Sequence, residues 1–247
     1  MIGIVGYGVI GKATKYALFP EHNVLTHDIL DNTQLSDLVE CDIIFVCVPT
    51  DNQEHINNVK SICCDIGELN PEIEIVIRST ITPGFFVDVE KKVKNNLTYF
   101  PEFLRERHSL EDSLDANVLF YGTTGLESKL TRYKRFKYKL KRRDISELEL
   151  LKMMRNNFHC MKIVFANHYY DICQKYGVDY QLLLESFHEL KNFQSYLDAN
   201  ENLRGYGGKC LPKDMDFMID IFGDIDLFKA IKNDNSRWPI TVEEETE

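Results

Sequence analysis

Apolar residues in this chain recur as short runs separated by amphipathic or polar stretches. Runs at 2–5, 24–26, 42–48, 73–77, 97–100 and 117–121 are mostly rich in Val, Ile or Phe, as strands buried on both faces are. Stretches such as 12–19 and 55–66 lie between them. This alternation over the first 143 residues predicts an α/β domain: a mostly parallel sheet with helices on both faces. Residues 135–141 alternate strictly, placing Phe136, Tyr138 and Leu140 on one face and cations on the other. That pattern predicts an edge strand protected by its lysines.

The character changes at Asp144. Ser146-x-x-Glu149 has the form of a capping box, and from there to Tyr176 no Gly or Pro interrupts the pattern. Gly177 stands where a helix C-cap glycine belongs. About thirty residues at about 1.5 Å each predict a helix near 45 Å, too long for a crossover that covers a sheet. It reads as the spine of a second, helical domain over 144–247, after a first domain over 1–143. Asp179 is placed to cap a following helix through Leu190. The acidic tail 243–247 reads as disordered.

Composition narrows the function. There are 29 Lys plus Arg against 39 Asp plus Glu, a net charge of −10, which argues against nucleic acid as the main partner. The window 129–143 runs the other way, with nine Lys or Arg and no acid; it reads as a solvated sheet edge or as an anion-attracting surface. The longest apolar run, 43–48, is far short of the roughly 18 residues of a membrane helix, so no membrane is expected. The sequence opens directly as a strand, and no secretory leader is expected. The seven cysteines are scattered, without a paired CxxC. Adjacent Cys63 and Cys64 suit neither a disulfide framework nor a tetrahedral zinc site, so the expectation is a metal-free, cytoplasmic protein. Cys41, Cys47 and Cys173 sit in apolar periodic contexts and read as core.

Four groups of residues carry chemistry. Gly6-Tyr7-Gly8-Val9-Ile10-Gly11 is a GxGxxG that follows a strand and opens a helix. Gly6 allows the tight turn, Gly8 lets the backbone approach a pyrophosphate, and Gly11 permits close helix–strand packing. Asp28, twenty residues after Gly8, is placed to accept the ribose hydroxyls, and no Arg follows closely to hold a 2′-phosphate. The pattern favours NAD over NADP; a glycine turn that binds nothing is the alternative. Pro49-Thr50, Arg78-Ser79-Thr80 and the stretch 101–106 close the third, fourth and fifth strands, where ligand crevices form in such sheets. Lys152 and Asn156 are four apart on the long helix and share a face, whether that face is solvated or functional. In the stretch 205–214, three glycines in four residues precede Cys210, which lies between Lys209 and Lys213. Neighbouring cations favour a thiolate.

In these motifs, taken in order along the chain, the sequence resembles the UDP-glucose/GDP-mannose dehydrogenases, most closely bacterial UDP-glucose 6-dehydrogenases. The resemblance runs through the glycine loop, Val48-Pro49-Thr50, Ser79-Thr80-Ile81, 101–106, Lys152-x-x-x-Asn156 and 205–214. It implies a Rossmann-type domain followed by a 6-phosphogluconate-dehydrogenase-like helical domain. It also implies NAD-dependent oxidation of the C6 alcohol of a nucleotide sugar, UDP-glucose favoured, to the carboxylate, in the setting of polysaccharide biosynthesis. Cys210 is the implied nucleophile; Lys152 and Asn156 stabilise oxygen charge; Thr80, Glu106 and Asp214 position water and accept protons. Val9, Ile10, Pro49, Thr50, Thr80 and Lys213 join Gly6, Gly8, Gly11 and Asp28 around the cofactor. Glu102, Phe103, Leu104, Arg105, Tyr206 and Gly207, with Lys152 and Asn156, contact the substrate. The family's dimer interface falls on the helical domain, which implies a homodimer.

Two departures stand out. The family has a third, C-terminal nucleotide-binding domain, and this sequence stops about where the helix leading into it is expected; a separate chain supplying that part is one implied partner. Near the arginine that the family often contributes from a neighbouring subunit, this chain has Lys191 and, against Gly205, Arg204. Two other readings fit part of the pattern. One is a binding remnant that retains NAD without turnover. The other is a β-hydroxyacid dehydrogenase, a class that also uses a helix Lys-x-x-x-Asn but usually carries glycines just before the lysine, which 146–151 lacks.

Overall fold

The computed structural model describes residues 1–104, 109–133, 139–190, 205–206 and 210–238, the side chain of Cys210 excepted. The strands are β1 (Ile2–Val5), β2 (Val24–His27), β3 (Ile43–Val46), β4 (Glu74–Ile77), β5 (Leu97–Tyr99), β6 (Val118–Thr123) and β7 (Lys139–Arg142). The helices are α1 (Val9–Ala13), α2 (Gln53–Leu69), α3 (Phe85–Val89), α4 (Ser109–Asp115), α5 (Leu130–Tyr133), α6 (Ile145–Tyr176), α7 (Tyr180–Glu189), α8 (Cys210–Ile221) and α9 (Asp226–Asn235). The seven strands form one sheet in the order β2-β1-β3-β4-β5-β6-β7. Every neighbouring pair is parallel except β5 with β6. Strand order reverses on either side of β1, which creates the crevice where such sheets bind ligands.

The apolar runs become strands because both sheet faces are covered. On one face Ile44, Val46, Ile75 and Ile77 pack under Ile56, Val59, Cys63 and Ile66 of α2 and Phe85, Phe86 and Val89 of α3. On the other, Ile2, Ile4, Phe45 and Val76 meet Leu18, Phe19 and Leu130. Burying a side chain of this size contributes about 1.5–3 kcal/mol. Glu74 interrupts this pattern. It is fully buried and accepts from the Thr98 hydroxyl at 2.6 Å, the Ser128 hydroxyl and the Lys129 N–H at 2.6 Å. Three donors replace the water that a carboxylate would otherwise need. Strand β7 lies at the sheet edge, paired with β6 alone among the described residues, and is flanked by Lys139 and Arg142. Residues 135–138 of the expected edge strand lie outside the described residues, as does the tail 243–247.

The chain divides into two compact units, Met1–Asn157 and Phe158–Glu247. The division falls inside α6 because Leu148 is fully buried in the first unit's core, with Ile145 and Leu151 packed against it. The helix begins at Ile145, one residue before Ser146, so the expected capping box is not formed. Glu149 instead accepts a hydrogen bond from the Gly84 N–H. At the other end Gly177 takes a φ of +66°, the left-handed conformation of a helix stop. In the second unit Asp179 caps α7, accepting from the N–H groups of Gln181 and Leu182. Cys41, Cys47 and Cys173 are buried. Among the described residues, no helix is long and apolar enough to cross a membrane.

Candidate functional site

The glycine loop is built as its spacing requires. Gly6 sits at φ +86°, and a Cβ there would lie 2.7 Å from the Cys47 carbonyl oxygen. A Cβ on Gly11 would lie 2.1 Å from the Gly6 oxygen, so α1 presses directly on the end of β1. Gly8 differs: no atom stands within 4 Å of where its Cβ would be, and the residue is exposed. The loop is therefore closed behind and open in front, the shape through which a phosphate reaches backbone N–H groups. Val9 is exposed beside it and Ile10 half-buried.

Asp28, at the end of β2, faces this loop. One carboxylate oxygen accepts the Tyr7 N–H at 2.7 Å, and the other accepts the Leu30 N–H at 3.0 Å. These two bonds, Leu30 first, hold the carboxyl below its ordinary range, and the nearby His27 and Lys12 act the same way. The carboxylate is thus fixed and ionised, with a lone pair on each oxygen left for hydroxyl donors. Tyr7, the variable residue inside the fingerprint, was not singled out by the spacing. Its N–H orients Asp28, and burial, followed by Tyr16, pushes its phenol up to about 12.

A second cluster gathers at the ends of β3, β4 and β5. The Ser79 hydroxyl donates to the Val48 carbonyl at 2.7 Å, tying the turn that holds Pro49 and Thr50 to the turn that holds Thr80. After β5, Glu102 accepts the Leu104 N–H at 2.7 Å. Lys152 reaches this turn from α6 and donates to the Glu102 backbone oxygen at 2.7 Å and to its carboxylate at 2.6 Å. Lys152 is only 3% exposed, so this face of the helix is a bound one, with Asn156 half-buried one turn further on. The Phe103 ring lies 5.8 Å from the Lys152 ammonium and 5.6 Å from the Arg155 guanidinium.

Arg78, Glu102, Phe103, Leu104 and Arg155 line a pocket of about 300 Å³ beside this turn. Arg78 is also 3% exposed, its guanidinium lies 4.6 Å from the Phe100 ring centre, and its Nε has no partner among the described residues. Burial pulls Arg78 below its ordinary pKa, against the opposing pull of Cys47 and Glu102. Cys47, buried close by, is pushed up to about 11 and stays a neutral thiol. Arg78, named with the turn after β4, and Glu149, named as half of a capping box, are both buried, which their motifs did not predict. Arg105 and Glu106 lie outside the described residues.

In the second unit, Cys210 opens α8. Lys213 and Asp214 pair at 3.4 Å, both more than half exposed. Upstream, the Tyr206 N–H donates to the Asn235 side chain at 2.7 Å, and that side chain donates back to the Tyr206 oxygen at 3.0 Å. Asn235, on α9, thus anchors Tyr206, a role that no local pattern announces. Gly207, Lys209, Arg204 and Lys191 lie outside the described residues. Among the described residues no group of three or more His, Cys, Asp and Glu is arranged to hold a metal ion.

Comparison with known proteins places both units. Residues 21–141 match the model of the NAD binding domain of the UDP-glucose/GDP-mannose dehydrogenase family. Residues 146–236 match the model of that family's central domain. Among curated proteins the chain is similar to the UDP-glucose 6-dehydrogenase of Campylobacter jejuni, 27% identical over 78% of this chain and 52% of the relative. It is similar to the UDP-glucose 6-dehydrogenase YwqF of Bacillus subtilis, 27% identical over 83% and 51%. It is also similar to the GDP-mannose 6-dehydrogenase of Pseudomonas syringae, 26% identical over 78% and 49%. The chain spans about half the length of these relatives. Among solved structures, GDP-mannose dehydrogenase from Pseudomonas aeruginosa superimposes with a TM-score of 0.78 at 21% identity, over 96% of this chain and 68% of that one. The UDP-glucose dehydrogenase of Pyrobaculum islandicum gives 0.67 at 22%, over 96% and 67%. At these identities the likeness is one of fold.

Proposed function

The chain belongs to the UDP-glucose/GDP-mannose dehydrogenase family and carries its NAD-binding and central domains, and from that premise we propose that it oxidises the C6 alcohol of a nucleotide sugar, UDP-glucose favoured, to the carboxylate. The observation that carries the reading is the buried Lys152–Glu102 pair at the strand ends, in the same unit as an open glycine loop and a fixed Asp28. NAD, when bound, would supply a hydride acceptor, one molecule for each of the two oxidations. Gly8 leaves room for its pyrophosphate, and Asp28 takes its ribose hydroxyls. Val9, Ile10, Pro49, Thr50, Thr80 and Lys213 complete the cofactor contacts.

The rest of the chemistry belongs to side chains. Loss of a hydride and a proton turns the alcohol into an aldehyde, and the Cys210 thiolate adds to the aldehyde carbon, giving a thiohemiacetal. Loss of the second hydride and another proton leaves a thioester. Water displaces the thiol and releases the acid, so that one alcohol and one water give one carboxylate, two NADH and three protons. Lys152 and Asn156 supply donors to the oxygen that gains charge at each addition; one such donor is typically worth about 10²–10³ in rate. Thr80, Glu106 and Asp214 hold the water and take its proton. Glu102, Phe103, Leu104, Arg105, Tyr206 and Gly207 surround the sugar.

Exposed Met161, Phe165, Leu182, Leu183, Phe217 and Ile221 in the second unit support a homodimer. A second reading is a remnant that binds NAD without turnover. The test is NADH formation from UDP-glucose and GDP-mannose. NADH from either sugar supports the reading. NAD binding with no NADH under any of these conditions leaves the binding reading in its place.

A further inference from the structure

Glu149 and Lys152 stand three apart at the start of α6 and fasten two different turns. Lys152 holds the turn after β5 through both oxygens described above. Glu149 accepts the Gly84 N–H at 2.9 Å. Gly84 stands four residues beyond Thr80, directly before α3, at a φ of +88° that favours glycine. One helix face therefore clamps the strand ends that carry Thr80 and Glu102.

The clamp has a thermodynamic cost. Glu149 is 3% exposed, and its second oxygen has no partner among the described residues. Burial first, then the charges of Glu149 and Glu102, push the phenol of fully buried Tyr99 above its ordinary value, against the opposing pull of the Ile81 backbone. A buried carboxylate satisfied on one side is a poor way to gain stability, and an apolar side chain of similar volume would pack at least as well. Helix capping does not account for it, because α6 starts at Ile145 and the carboxylate points at Gly84.

We propose that Glu149 is a positioning residue that locks the Thr80–Gly84 turn to the helix carrying Lys152, holding the turns after β4 and β5 in one register. The proposal rests on the dehydrogenase reading, because it assigns the value of that register to turnover. Glu149→Leu removes the acceptor and keeps the volume; Glu149→Gln keeps both the volume and one acceptor.

The experiment combines steady-state kinetics on the full chain with thermal melting and hydrogen exchange at the Gly84 amide. In Glu149→Leu, kcat falls about 10- to 100-fold, the scale expected when reacting groups shift by about 1 Å. KM for the sugar and the NAD dissociation constant stay within about threefold, the melting temperature stays within about 2 °C, and the Gly84 amide exchanges at least about tenfold faster. Glu149→Gln restores amide protection and most of kcat.

A leucine variant that keeps kcat within about twofold, or melts lower with Gly84 exchange unchanged, overturns the proposal. If the leucine variant does not fold, the glutamine variant decides: an unprotected Gly84 there overturns the clamp, and a protected one with kcat retained supports it. If the wild-type chain makes no NADH from any nucleotide sugar, the dehydrogenase reading fails and exchange at Gly84 alone decides the clamp. Tenfold faster exchange in the leucine variant supports it, and unchanged exchange overturns it.

Discussion

Removing the Lys152 ammonium is the perturbation whose size the structure sets most directly. The charge lies 2.6 Å from the Glu102 carboxylate, with side chains 3% and 12% exposed. At an effective dielectric near 20, a pair at that distance attracts by about 6 kcal/mol. Taking each ion out of water costs several kcal/mol, so the intact pair contributes little net stability. A half-broken pair is another matter. In Lys152→Met, Glu102 keeps the Leu104 N–H as its donor and loses its cation. The expected loss is about 3–5 kcal/mol. Neutralising the acid as well, in Glu102→Gln/Lys152→Met, should recover about 2 kcal/mol or more, because the carboxylate that lost its ammonium is then gone too.

Two units complicate a global melting curve, so the assay is native-state hydrogen exchange at the Ile44 and Phe45 amides, which report the first unit's core. A single variant within about 1 kcal/mol of wild type, or a double variant no more stable than the single, would refute the reasoning. In that case Lys152 would be solvated in solution, and the pocket beside it open.

Other consequences follow from the same geometry. Gly8→Ala should fold normally and lose NAD affinity at least about tenfold, because its Cβ meets only open space. Gly11→Ala should lose several kcal/mol of stability, because its Cβ collides with the Gly6 oxygen; chemical denaturation with NAD titration separates the two. Asp28 has a lowered pKa in the folded chain, so it contributes stability above the unfolded carboxyl pKa, near 3.9, and loses it as pH falls through the folded value. Asp28→Asn should accordingly unfold earlier than wild type at pH 7 and converge with it in acid, and NADP should bind the variant about as well as NAD does. Glu74→Gln replaces a carboxylate that accepts three hydrogen bonds with an amide that cannot accept all of them. It should cost about 1–3 kcal/mol by urea denaturation without changing NAD affinity.

How much of this was legible in the sequence depends on how far apart the partners lie. Strands β1, β3 and β4 are written locally, as Val- and Ile-rich runs, and the glycine fingerprint is written in its spacing. The long helix also follows from its uninterrupted pattern and from Gly177. Spacing made Lys152 legible as a position on a face and the family resemblance supplied its role, but its burial depends on Glu102, fifty residues earlier. Glu149 shows the opposite hazard. Ser146-x-x-Glu149 offers a local capping role, and a contact with Gly84, sixty-five residues away in sequence, takes the side chain instead. The burial of Glu74, inside the run 73–77, and of Arg78, in the turn after it, has no local signature, because burial of a charge is decided by tertiary partners such as Thr98, Ser128 and Phe100.

The central claim is that two hydrides leave one sugar carbon through a covalent adduct on Cys210. Its most direct test is the ratio of NADH formed to nucleotide sugar consumed, measured with excess NAD on the wild-type chain and on Cys210→Ala, with NAD affinity as a control for folding. The account predicts two NADH and one uronic acid per sugar for the wild type. It predicts no acid from Cys210→Ala, with NAD affinity unchanged. Two NADH per sugar from Cys210→Ala would contradict the thioester route, and a wild-type ratio of one would contradict the four-electron oxidation itself.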